Sequence, residues 1–515
     1  MGGWLPAVVD SMVGNGLLPS SGGRMLLRGV CQAGGDLLPL LVRAWGSAEG
    51  EATGVAKRRA VHRRQQLWGW QQRGARLTLG VPRCPWEAMV RWLGVRLAWW
   101  PHGIPTGRRV GLASSRLGHA VDTQRAWFLA LRAVCGQADA ERDVLLAATG
   151  TAAARYVERG AALFGLRTLR LEAAEGDVGN WFSRVLKSEP HAPEAGVRPL
   201  VLSPPLTAEA RELTDVPVRD RALVALSERL MVFRIRPSGH VHRLLQARLT
   251  NPAWPVASVY VALGAQLVRT EMAAELMGLG AVGWVVLEPP PGVAQPAEAA
   301  LGAAGPPQGG QPAPIVPLPP ADGWPFLAHS TRRCEGPWPD QDETEYLDDL
   351  ILARPEADHS PLAALRRIVR SGRLIASGRT IRGGTPVVSF TAVPLAELSR
   401  LRVFRPHRGR WDFEPYGICI RRDWLQGLGA RPVLYGDDLL WEQLGPEERP
   451  FFQLRRTRRA PGRAVDWAVE DEWRVVGDLS LERLPREGGL LFVPTLEEAK
   501  QMAAISRWPV TVVRV

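Results

Sequence analysis

The chain has 515 residues, 46% of them hydrophobic, which is too long for one ordinary domain and apolar enough to bury several cores. Its 64 Lys and Arg against 52 Asp and Glu give a formal net charge of +12, a balance that favours partners carrying phosphate. No run of about 18 apolar residues occurs and Met1 to Ser20 lacks a signal-peptide pattern, so membrane insertion and secretion are not expected and a cytoplasmic location is. The five cysteines Cys31, Cys84, Cys135, Cys334 and Cys419 are an odd number without a C-x-x-C pair, which predicts reduced thiols and no metal site.

Residues 1 to 100 read as a small basic, Trp-containing module or as an extension of the neighbouring domain. They carry Lys57, Arg58, Arg59, Arg63 and Arg64, then Trp68, Trp70, Arg73 and Arg76. Basic residues beside aromatics suit nucleic acid through phosphate contact and stacking, although a solvated Arg-rich face has the same composition.

From Arg108, short apolar runs alternate with amphipathic stretches in the manner of β-α-β units. Strands are predicted at Arg109 to Ala113, Asp143 to Ala148, Leu166 to Leu171, Arg198 to Leu202, Leu230 to Ile235, Val256 to Leu263 and Val282 to Leu287. Helices are predicted at Asp122 to Cys135, Ala152 to Phe164, Arg219 to Glu228, Val241 to Leu249 and Val268 to Met277. The economical architecture for residues 101–288 is an α/β, Rossmann-like, mostly parallel sheet.

Between Pro289 and Pro320 lie eleven prolines and five glycines, which predicts an extended spacer over residues 289–322. Residues 323–515 then read as α+β. Strands are expected at Pro325 to Ala328, Val387 to Phe390, Gly417 to Ile420, Pro432 to Tyr435, Trp473 to Val476 and Leu490 to Val493. Helices are expected at Tyr346 to Leu352, Leu362 to Ser371 and Leu496 to Met502, and a second basic cluster comprises Arg455, Arg456, Arg458, Arg459 and Arg463.

In an open parallel sheet, ligands sit beyond the carboxyl ends of the strands. The residues there are Ser115 and Arg116 after the first strand, Thr149 and Gly150 after the second, and Ser238 and Gly239 after the strand ending at Ile235. Small residues at helix starts can cradle a phosphate with their amides. Arg219 and Arg221, opening a helix, are candidate phosphate contacts, although bracing of that helix through salt bridges is the commoner role of such arginines. Together with the strand Leu230 to Ile235, these loops resemble the DprA/LOG-like (SLOG) Rossmann superfamily over roughly residues 108–287. The resemblance implies a nucleotide-derived ligand or a nucleic-acid end as partner. Because the family's P-G-G-x-G-T-x-x-E motif is absent, it implies sensing rather than hydrolysis.

In the last third, Ala328-His329-Ser330-Thr331-Arg332 follows a strand, PVVSFTAVP spans Pro386 to Pro394, and Glu470-Asp471-Glu472-Trp473-Arg474 opens another strand. On a strand Glu470 and Glu472 would share one face; they also fit an exposed edge paired with Arg474 or Arg463. A carboxylate beside a sugar stabilises an oxocarbenium-like state, the chemistry that ADP-ribose transfer requires. The stretch Val387 to Asp437, with Tyr416-Gly417-Ile418, Arg431-Pro432-Val433-Leu434-Tyr435 and the E-x-E-W-R element, resembles AbiGi-type abortive-infection proteins, which are similar in layout to ADP-ribosyltransferases. That resemblance implies NAD as substrate, Glu472 as the catalytic carboxylate with Glu470 orienting the acceptor, and His329, Thr331, Arg332, Ser389 and Thr391 holding the dinucleotide. The expected function is a nucleotide-sensing defence or toxin protein that modifies an unidentified macromolecule. The alternative is a non-enzymatic, DprA-like binder of single-stranded DNA or RNA.

Overall fold

The computed structural model describes residues 5–19, 35–118, 120–187, 196–206, 212–255, 257–264, 267–287, 311–405, 410–455 and 467–514. These fall into two compact units, one drawn from 1–118, 124–293 and 347–354, the other from 119–123, 294–346 and 355–515. Cys31, Arg456, Arg458, Arg459, Arg463 and the spacer up to residue 310 lie outside the described residues.

The first unit is built on nine strands: β1 (Arg76–Leu79), β2 (Leu97–Trp100), β3 (Arg108–Ser114), β4 (Asp143–Ala148), β5 (Arg167–Ala173), β6 (Val197–Leu202), β7 (Arg229–Arg234), β8 (Val259–Leu263) and β9 (Val282–Val285). Their order across the sheet is β1-β2-β6-β5-β4-β3-β7-β8-β9. All pairings from β6 to β9 are parallel, whereas β1 and β2 join antiparallel at one edge. The helices are α1 (Leu5–Gly14), α2 (Leu38–Glu51), α3 (Gly54–Gln72), α4 (Trp86–Leu93), α5 (Arg125–Gln137), α6 (Ala154–Leu163), α7 (Val178–Lys187), α8 (Val218–Leu226), α9 (His240–Leu249) and α10 (Thr270–Gly278).

The parallel strands read as near-continuous apolar runs because both faces are covered; every residue of β4 is buried. Along β2, Ala98 and Trp100 enter one core, with residues of α4, α8, α9 and α10. Leu97 and Trp99 enter another, with residues of α1, α2, α3 and α7. Residues 76–100 therefore extend the large sheet. The result is a mixed α/β fold with a large parallel-rich sheet, consistent with a Rossmann-like domain. Helix α7 was not expected, although Val178, Trp181, Phe182, Val185 and Leu186 are buried at helical spacing.

The second unit contains a seven-stranded sheet: β10 (Phe326–Ser330), β11 (Val387–Thr391), β12 (Gly417–Arg421), β13 (Arg431–Pro432), β14 (Glu472–Val476), β15 (Gly489–Val493) and β16 (Val510–Val512), in the order β13-β14-β11-β10-β12-β15-β16. All its neighbours pair antiparallel except β15 and β16. The strand expected from Pro432 to Tyr435 is two elements: β13 lies at the sheet edge, where a proline is tolerated, and Leu434–Gly436 pairs parallel with Phe452–Leu454. The end of the expected spacer is also structured. Ala313 donates to the Ala503 carbonyl at 2.9 Å, Val316 to the Val510 carbonyl at 2.9 Å, and Ile315 bridges to Val510.

Candidate functional site

Strands β3 to β6 are laid down in one direction from β3, and the chain then returns to place β7 on the other side of β3. The reversal opens a crevice beyond the carboxyl ends of β3 and β7, the usual ligand position in this class of sheet. The two loops there are tied together: the Ser115 amide donates to the Arg234 carbonyl at 2.8 Å and the Arg236 amide to Ser115 Oγ at 3.0 Å. A register shift between Ala113 and Ser114 turns the end of β3 into this contact.

Of the helices that begin at the carboxyl edge of the sheet, three start around the crevice, α6 after β4, α8 before β7 and α9 after β7. The N-cap residues Ala153, Pro217 and Gly239 make no side-chain capping bond; Ala154 donates to the Thr151 carbonyl at 3.4 Å and Asp220 to the Pro217 carbonyl at 3.0 Å, and the positive ends of the three helix dipoles point to this edge. Gly150 has φ +82°, a left-handed conformation that favours glycine, and a Cβ there would lie 3.3 Å from the Arg219 side chain, which passes close over this loop. Arg116 and Arg219 are exposed, and no side-chain hydrogen bond or ion pair among the described residues engages either.

At the base lies a recess with room for about one water, lined by Ser114, Thr151, Asp220, Leu223, Val241 and Leu244 among others. Asp220 is the group that sequence reasoning missed. Burial pushes its carboxyl above the ordinary range, opposed by the charges of Arg219, His240 and Arg116. Its place between Arg219 and Arg221 was the available signal.

Of the residues expected here, Ser115, Arg116, Gly150 and Arg219 stand at the crevice, whereas Thr149 donates its amide to the Leu171 carbonyl of β5 at 2.9 Å. Arg221 does not: it is 8% exposed and its guanidinium donates to the Trp92 carbonyl, because helix α8 is buried along most of its length. The Ser238 and Gly239 amides are spent within their own turn. Ser238, at φ +55°, donates to His242 Nδ1 at 3.2 Å, and Gly239 donates to the Arg236 carbonyl at 3.0 Å. His242 Nε2 lies 3.2 Å from Glu275, which fixes the ring as the brace of that turn.

In the second unit the expected set does not assemble. Paired residues of an antiparallel sheet share a face, and the register places Glu472, Thr391 and Ala328 in one row and Trp473 and Phe390 in the next. Glu472, Arg474, Thr391, Ser389 and Ser330 therefore stand on one face. His329 stands on the opposite face with its ring edge-on to Phe390 at 5.7 Å, beside the core formed by Leu327, Val388, Phe390 and Ile418. Its Nδ1–H donates to the Ser389 carbonyl at 2.9 Å. Burial holds the imidazole below its usual range, the carbonyl opposing and Arg332 adding to the shift.

Glu470 and Glu472 do not share a strand face either. Glu470 ends a 3-10 turn, Asp471 takes φ +41°, and β14 starts only at Glu472. Glu472 holds Arg474 with bonds of 2.9 and 3.0 Å. Arg474, almost wholly buried, also donates to the carbonyls of Pro450 and Phe452. Thr391 Oγ donates to the Glu470 carbonyl and Thr331 Oγ to the Pro361 carbonyl, so both hydroxyls are committed inside the fold, while Arg332 is exposed.

No family model matches the sequence, and no curated protein matches it. Among solved structures the chain is similar to DNA processing protein A (DprA) from Streptococcus pneumoniae, at 14% identity over 47% of this chain and 83% of that chain with a TM-score of 0.26, a likeness too weak to carry an argument. No helix among the described residues is long and apolar enough to cross a membrane.

Proposed function

We propose that the first unit binds a phosphate-bearing ligand, a nucleotide or the end of a nucleic acid, in the crevice between β3 and β7. The observation that carries this reading is the meeting of three helix starts without side-chain caps with two exposed arginines that enter no ion pair among the described residues. Each feature alone is common in folded proteins; together they concentrate positive potential where a phosphate can reach several amides at once. Arg219, passing over Gly150, supplies one charge, and Arg116 supplies a second from the opposite loop.

Asp220 suits the same ligand. A half-buried carboxyl at the base of a phosphate site repels the anion when ionised, but it can accept a hydrogen bond from a sugar hydroxyl deeper in the recess. The ligand class that satisfies both is a phosphorylated ribose. Transfer of ADP-ribose by His329, Ser389 or Thr391 and Glu472 is not part of the proposal, because the sheet divides those side chains between its faces.

A thermal-shift panel tests the class. Ligands that bind the folded state raise the melting temperature by mass action. ADP-ribose, NAD, nucleoside mono- and diphosphates and a 5′-phosphorylated oligonucleotide are expected to raise it, and the parent nucleosides to leave it unchanged. Equal response to nucleosides and nucleotides would remove phosphate from the reading.

A further inference from the structure

Helix α3 carries no acidic residue and five cations, Lys57, Arg58, Arg59, Arg63 and Arg64. Acids three or four positions away would offset such charges; here Arg59 and Arg63 are instead like charges at that spacing. Burial and then the charge of Arg59 hold Arg63 below the usual guanidinium range. Arg64 is paired with Glu49 at 2.7 Å and Arg63 lies over the Phe182 ring. Lys57, Arg58, Arg59 and, just beyond the helix, Arg73 are exposed, with no side-chain hydrogen bond or ion pair among the described residues. Lys57 also sits in the first turn, where the helix dipole adds positive potential.

The outward surface of the same helix presents an aromatic. Trp68 is 55% exposed, whereas Trp70 is 4% exposed and packs on Trp99. Lys57, Val61, Arg64 and Trp68 follow the spacing of one helix face, and the exposed residues between Lys57 and Trp68 include Arg58, His62 and Gln65. From Lys57 to Arg73 the backbone rises about 24 Å. That length is enough to meet several successive phosphates of one strand. The inward face, Ala60, Leu67 and Trp70, is part of the unit's own core. It is therefore unavailable for insertion into lipid, which membrane-surface helices require.

We infer that α3 is a binding surface for single-stranded nucleic acid, its free cations following the phosphates and Trp68 stacking on a base. This surface is separate from the crevice of the same unit and does not depend on it. The full chain is titrated with fluorescein-labelled oligothymidine of twenty nucleotides that carries no terminal phosphate, followed by fluorescence anisotropy at several salt concentrations. Binding is expected to weaken with salt at a log–log slope of about −3, from four phosphate contacts. Arg58→Ala with Arg59→Ala should roughly halve that slope. Trp68→Ala should weaken binding about tenfold with the slope unchanged, the size of a lost base stack. Arg219→Ala should leave oligothymidine binding as it was, whatever it does to nucleotide binding.

Circular dichroism and melting of each variant establish that it is folded. Absence of oligothymidine binding at low salt, or binding that neither the Arg58/Arg59 nor the Trp68 change alters, overturns the inference. Binding abolished by Arg219→Ala alone moves the contact to the crevice and also overturns it. Vesicles of phosphatidylserine and phosphatidylcholine serve as the competing polyanion, and capture of vesicles with no oligothymidine binding overturns it in favour of a lipid surface.

Discussion

Arg474 shows how one side chain decides what its neighbours can do. Its guanidinium is buried against two carbonyls and is neutralised by Glu472, so removing that carboxylate leaves a buried charge without its partner. Such losses cost about 3–5 kcal/mol. Glu472→Ala is expected to lower the stability of the second unit by that order in denaturant unfolding, and Glu472→Gln by clearly less, because the amide oxygen still accepts from Arg474. An unfolding midpoint unchanged by Glu472→Ala would release Glu472 from this structural role. Asp220 makes the opposite case. Its carboxyl is raised by burial, so the neutral form is the one the fold favours, and ionising it as pH rises through the raised value costs stability and repels an anionic ligand. Phosphate-ligand affinity is expected to rise as pH falls through that range. Asp220→Asn should bind more tightly than wild type at neutral pH and lose the acid-side dependence, and titrations at several pH values check it. A parallel pH dependence in both proteins would assign the effect to another group.

At the scale of elements, strands β3, β4, β5, β7 and β8 were legible because a parallel sheet covered on both faces requires unbroken apolar runs, and their boundaries fall close to those expected. Strands β1 and β2 were hidden because a four-residue Trp-rich run such as Leu97–Trp100 gives no period. Helix α8 is buried along most of its length, so nothing in its sequence marked Arg221 as an inward side chain. The candidate crevice was legible in outline, since ligand positions in such sheets follow from topology. Which amides remain free was not, because the Ser238 amide is consumed by His242, a turn further on, in a ring-to-backbone bond that no local motif announces. Register was equally invisible: Thr391 pairs with Ala328, and that single step sends His329 to the face opposite Glu472. The segment 311–316, expected as spacer, gains order from a partner far along the chain. Val316→Pro removes the donor to the Val510 carbonyl and should cost about 1–3 kcal/mol. That amounts to a fall of several degrees in the melting of the second unit. A melting temperature equal to wild type would return the segment to the spacer.

At the scale of the whole molecule, two places in the first unit, the crevice with Arg116 and Arg219 and the outer surface of α3, carry exposed basic residues, and both favour phosphate by the same electrostatics while differing in what surrounds the charge. The crevice adds helix starts and a recess; α3 adds an exposed tryptophan and length. Isothermal titration of ADP-ribose into the full chain, beside Arg219→Ala of equal melting temperature, decides whether the crevice is a phosphate site. Saturable binding by wild type that weakens with added salt is expected, with a loss of about tenfold or more in affinity on Arg219→Ala, the scale of one charge-assisted contact. Binding of equal affinity in the two proteins, or none by wild type to ADP-ribose or to any nucleotide of the thermal-shift panel, would contradict that assignment.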